Sequence, residues 1–175
     1  MGVGHLVNRF IAIIFAAAFA ALSAAPAPAA TRHHSIAEYA YLIGTWQCVA
    51  HAPRLKAPVT YQTSFHWKYP SKSVIDQYIS TPRGQANFML TYVPASDSFE
   101  GVFTGSDGSM GFWYNPGPVG EGWTEYGFDV ADRATPNTRA IFYGVTPTHY
   151  AFHFWAIKGK QDPGRKIEDD TCNKV

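Results

Sequence analysis

The chain has 175 residues, with 14 Lys and Arg against 13 Asp and Glu, 46% hydrophobic residues and 15% aromatic residues. A formal charge of +1 excludes a nucleic-acid binder that works by neutralising phosphates. A charged fraction of only 15% excludes an acidic, disordered chain. The composition reads as one globular all-β domain with Gly and Pro as scattered punctuation, preceded by a targeting segment.

Residues 1–30 differ from the rest. Arg9 is their only formal charge, the run 10–22 is apolar throughout, and Ser, Ala and Pro follow up to Ala30. A short basic region, an apolar core and a small-residue exit are the layout of a secretory signal peptide. The apolar run of 13 residues falls short of the roughly 20 that a membrane-spanning helix needs. The expectation is therefore a cleaved signal over 1–30 and a secreted or periplasmic domain over 31–175, with no stable membrane anchor after cleavage. The chain has two cysteines, Cys48 and Cys172. In an oxidising compartment an even pair reads as a disulfide. It would close a loop of about 125 residues and stabilise on the order of 4–5 kcal/mol in the chain-entropy model.

In chain order, the segment 35–42 predicts one short helix. Ser35 can cap it, Glu38 stands at the capping-box position, and Ile36, Ala40 and Ile43 share an apolar face. Gly44 ends it. Ten short strands follow, over 45–51, 59–69, 73–80, 86–93, 98–104, 109–115, 122–130, 138–145, 148–158 and 165–175. The clearest is 59–69, where Val59, Tyr61, Phe65, Trp67 and Tyr69 alternate with polar residues at period two. Asp107-Gly108 favours a primed hairpin turn. A meander of this kind closes as a sandwich or as an up-and-down barrel. Short connections and the removal of edge strands favour the barrel. The fold expected is all-β: a single antiparallel up-and-down β-barrel of about ten strands with a short N-terminal helix over one end.

Leu42-Ile43-Gly44-Thr45-Trp46, after a short helix, resembles the Gly-x-Trp opening of calycin-type barrels, the lipocalins, fatty-acid-binding proteins and their relatives. The resemblance implies that Gly44 turns the chain from helix to strand and that Trp46 plugs the barrel base. Leu90-Thr91-Tyr92, the Asp107-Gly108 hairpin, Gly122-Trp123 and the closing Asp170-Thr171-Cys172 resemble secreted bacterial proteins of the DUF1579 and lipocalin-like groups. The likeness runs over most of 36–175. Nitrobindin, in the same wider group, holds haem through a late-strand histidine. Its tryptophan is followed by a glycine-rich stretch, where this chain has Gln47 and Cys48.

The late strand places His149, His153 and Trp155 on one face and Tyr150, Phe152 and Phe154 on the other. Both faces are aromatic, so alternation alone does not say which looks inward. His153 is the candidate haem or metal ligand, since neutral imidazole is the usual donor. Its plainer reading is a histidine bonded to a neighbour. Candidate lining residues for a barrel ligand are Trp46, Phe65 and Trp67 from the early strands and Phe88 and Tyr92 from the fourth. Phe112, Tyr126, Phe152 and Phe154 are the later candidates. Glu168, Asp169 and Asp170 read as a polar strand edge, because adjacent carboxylates point to opposite faces. Glu125 and Asp129 share a face at too great a distance to share a proton. Lys158, Lys160, Arg165 and Lys166 read as a solvated hairpin tip.

The preferred function is the non-enzymatic binding of a small apolar or amphipathic ligand inside the barrel, by a monomer without a resident cofactor or metal. Two other readings stay open at this point: a haem-dependent barrel enzyme using His153, and a pocketless secreted interaction module.

Overall fold

Ten strands form one closed antiparallel barrel: β1 (Gly44–His51), β2 (Val59–Trp67), β3 (Val74–Thr81), β4 (Gly84–Val93), β5 (Ser98–Gly105), β6 (Met110–Asn115), β7 (Thr124–Asp129), β8 (Thr138–Tyr143), β9 (His149–Ala156) and β10 (Arg165–Lys174). The structure is a computed structural model that describes residues 34–175. The segment read as a signal peptide lies outside the described residues. Each strand pairs with its neighbours in sequence, and β1 pairs with β10 to close the ring. Among the described residues no strand edge is left exposed for another chain to extend.

Strand ends follow backbone chemistry. Gly144 at φ +61° stops β8 at Tyr143, two residues before the predicted end. Tyr69-Pro70 turns the chain just after β2. Between β9 and β10 the register shifts at Lys166/Glu168, a bulge that leaves Glu168, Asp170, Cys172 and Lys174 alternating regularly beyond it.

A 3-10 helix over Ile36–Leu42 precedes β1. Ser35 caps it by accepting from the Ala37 amide, and the Glu38 side chain returns to the Ser35 amide. Its buried residues Tyr39 and Leu42 join Trp46, Phe99, Trp123 and Tyr150 in the apolar core. Trp46 is fully buried, packs its ring edge-on against Tyr150 at 4.8 Å, and donates its indole N–H to the Leu42 carbonyl at 2.6 Å. That bond ties the helix to the first strand. Between them Gly44 sits at φ +130°, and a Cβ there would meet Lys174 Cε at 2.7 Å.

Cys48 and Cys172 stand opposite each other on β1 and β10 and form a disulfide, with Cα atoms 4.1 Å apart and a sequence separation of 124. Both cysteines are fully buried. The bridge therefore staples the seam where the first and last strands meet, on the inner side of the wall.

Candidate functional site

Inward-facing side chains do not fill the barrel. A cavity of about 410 Å³ extends from the helix-capped end to the opposite rim. This volume is within the range of small-molecule sites. Most of its wall is apolar, built from Phe65, Ile75, Leu90, Phe152 and Phe154, with Trp113 on the far side. Space beside Trp113 exists because its inner-face neighbours across the sheet are Gly101 and Gly127. A Cβ on Gly127 would come within 3.1 Å of the indole, and one on Gly101 would collide with the Phe88 ring. Ordinary side chains at those positions would push rings into the cavity.

Polar groups converge at two places. At the helix-capped end, the Tyr39 hydroxyl donates to Glu125 Oε1 at 3.1 Å and accepts from Asn115 Nδ2 at 2.7 Å. Glu125 is 8% exposed. Burial pushes its carboxyl up to about 7, and the Tyr39 bond only partly offsets this. Burial, with Glu125 beside it, also raises Tyr39 well above the ordinary phenol range.

The second place is the β10 wall. Asp170 is 2% exposed and accepts the Tyr61 hydroxyl at 2.5 Å on Oδ2. Burial raises it to about 7; the Tyr61 bond pulls the other way, and the nearby Glu168 carboxyl raises it further. Glu168 accepts from Arg54 Nη2 at 2.6 Å, and Arg54 projects from the loop between β1 and β2. Arg54, Leu55 and Arg83 mark the rim opposite the helix, where Arg54 is 62% exposed. From rim to floor the order is a cationic mouth, a pair of carboxyls on one wall, an aromatic body and a buried Tyr–Glu–Asn chain.

The predicted site residues divide between inside and outside. Phe65, Phe88, Phe152 and Phe154 line the cavity. Trp46 lies in the core below it. Trp67 and Tyr92 pack against the core without lining the cavity; Tyr92 meets Phe99 at 5.6 Å and donates to Asp97 at 2.6 Å. Phe112 and Tyr126 are on the outer face, which corrects the expectation that they line the interior, and His153, the candidate haem or metal ligand, is on the outer face with them. Arg133 sits 3.8 Å above the Phe112 ring, and Lys160 covers Tyr114 and Tyr126 at 5.0 and 5.6 Å. His153 stacks on Tyr143 at 4.3 Å and hydrogen-bonds to Asp169. The physical reason is parity: the inner positions of β6 and β7 belong to Trp113, Asn115 and Glu125, so their aromatic neighbours in sequence must point out.

Glu168 and Asp170 correct the polar-edge reading. They are two apart, share the inner face and line the cavity, while Asp169 between them points out to His153 and Lys166. One signal in the sequence leads to them. A disulfide partner of Cys48 must share the face of Trp46, and residues two and four before Cys172 then share it too. Tyr61, Trp113, Trp123 and Phe142 are further lining residues that sequence reasoning did not select.

Among the described residues no group of three or more His, Cys, Asp or Glu is arranged to hold a metal ion. No helix among them is long and apolar enough to cross a membrane. No protein-family model matches this chain, and no curated protein matches it in sequence.

Proposed function

We propose that the protein binds a small apolar or amphipathic molecule inside its barrel and acts outside the cytoplasm. The observation that carries this reading is the cavity of about 410 Å³, apolar along its body and reaching an exposed rim. A barrel whose role was purely structural would gain stability by filling that space. The glycines beside Trp113 and Phe88 instead keep it open. The seam disulfide and the apolar leader favour an oxidising compartment. Membership of the calycin-type barrels is part of the same proposal, supported by Gly44 at the helix-to-strand turn and Trp46 buried beneath the helix.

The haem reading is not favoured, because His153 faces away from the cavity and is engaged by Tyr143 and Asp169. The experiment that tests the proposal is titration with the neutral fluorophore phenylnaphthylamine. The purified protein is expected to bind it with a saturable rise in emission. Leu90→Trp, which places an indole in the cavity, is expected to abolish that rise while far-ultraviolet circular dichroism stays unchanged. Equal binding by both proteins would place the fluorophore elsewhere and overturn the reading.

A further inference from the structure

One wall of the cavity carries a buried acceptor with no donor. Asp170 is 2% exposed, its Oδ2 takes the Tyr61 hydroxyl, and its Oδ1 has no hydrogen-bond partner among the described residues. Unpaired buried acceptors are rare in folded proteins, because solvent has been stripped from them without replacement. Glu168, two residues away on the same inner face, brings a second carboxyl to the same wall. The cation that reaches this wall is already committed: Arg54 is bonded to Glu168 at 2.6 Å. The wall thus has two acids and one base beside a channel of aromatic rings.

Resting on the reading that the cavity is a ligand site, we propose that its ligand is an amphipathic amine, with an ammonium head at Asp170 and Glu168 and an apolar tail along Phe152, Phe65 and Leu90. An ammonium supplies several donors and a positive charge, so it satisfies Oδ1 and balances the second carboxyl together. An alcohol satisfies one acceptor and leaves the charge unbalanced. A carboxylate head would meet two carboxyls at this wall, and its only attraction would be to the arginines at the rim. The groups around Asp170 are Tyr61 from β2, Tyr150 from β9, and Glu168 and Asp169 on its own strand, with Arg54 beyond Glu168. None of them offers a second cation. An incoming ammonium therefore displaces the proton that Asp170, raised to about 7 by burial, holds below neutral pH.

The test is displacement of phenylnaphthylamine from the purified protein by decylamine, decanol and decanoate, three heads on one tail. Decylamine is expected to compete about tenfold or more better than the other two. Asp170→Asn is expected to erase the preference for decylamine over decanol. Calorimetry of the unsubstituted protein in two buffers of different ionisation enthalpy is expected to show proton release with decylamine and none with decanol. This second measurement decides the matter if Asp170→Asn does not fold. Equal competition by the three heads, or decanoate competing best, overturns the amine head while leaving the cavity reading intact. If the fluorophore does not bind at all, the cavity reading fails first, and the amine proposal with it.

Discussion

Tyr61 on β2 and Asp170 on β10 are joined across the intervening strand β1 by a 2.5 Å hydrogen bond. The bond crosses the barrel seam on its inner side, next to the disulfide: Tyr61 is opposite Cys48, and Cys48 is opposite Cys172. It gives one oxygen of a buried carboxyl a fixed donor and leaves the other without a hydrogen-bond partner among the described residues.

Asp170 and Glu125 dictate an unusual pH dependence of stability. Burial holds both up to about 7 in the folded protein, whereas in the unfolded chain they release their protons near pH 4, at about the ordinary carboxylate values. In between, the folded state binds more protons than the unfolded state. The free energy of unfolding therefore falls as pH rises through this window, on the order of 1 kcal/mol per pH unit for each group, and levels off above about pH 7. Asp107, Asp132 and Asp162 are held low by hydrogen bonds from Ser109, Ala134 and Gly164 and act in the opposite sense only at lower pH. Urea midpoints are expected to peak at about pH 4–5 and decline toward neutrality. Glu125→Gln is expected to remove one group's share of the decline. Midpoints that climb between about pH 5 and 7 would contradict the buried placement of both carboxyls.

Tyr39→Phe removes the donor to Glu125 and the acceptor for Asn115 in a single change. Leaving buried polar groups unpaired is expected to cost about 1–3 kcal/mol in chemical denaturation. The Glu125 carboxyl, which the Tyr39 bond pulls down, is expected to titrate at higher pH in the variant, as followed by carboxyl infrared absorption. An unchanged titration would show that the two side chains do not share this bond in solution.

Opening the seam disulfide removes a cross-link that spans 124 residues. Cys48→Ala with Cys172→Ala is expected to lose about 4 kcal/mol of stability, on the loop-entropy argument. Adding a reductant to the unsubstituted protein should lower its denaturation midpoint in the same direction. Intact mass measured before and after reduction checks that the bridge is present at the start.

Gly101→Ala should narrow the cavity. The added methyl collides with Phe88, and Met89 O lies 2.9 Å from it on the other side. Relief requires the Phe88 ring to swing into the ligand space. Overpacking of this kind costs about 1–3 kcal/mol. Weaker fluorophore binding by a folded variant is the expected outcome; unaltered affinity would show that Phe88 has room elsewhere.

His153→Ala should leave fluorophore affinity unchanged, since the ring is stacked on Tyr143 on the outer face. A loss of affinity in a folded variant would put the imidazole inside the barrel, contrary to the structure.

Strand number, turn positions and the pairing of Cys48 with Cys172 are legible in the sequence. Period-two alternation, Gly and Pro punctuation and an even cysteine count are local or compositional signals, and they need no knowledge of neighbours. Alternation also separates the two faces of every strand. The inward face is decided only when the sheet closes. On β6 the outward set, Met110, Phe112 and Tyr114, is as apolar as the inward set, Gly111, Trp113 and Asn115, so hydrophobicity alone selects the wrong rings. On β10 the inward set is polar, because a wall that borders a cavity does not have to be greasy if its carboxyls find partners on other strands. Asp170 finds Tyr61 on β2, and Glu125 on β7 likewise finds Tyr39 on the 3-10 helix, 109 and 86 residues away in sequence. A chain read residue by residue contains the acids and the phenols. Closure of the barrel alone brings them within bonding distance, strips them of water and makes them a site.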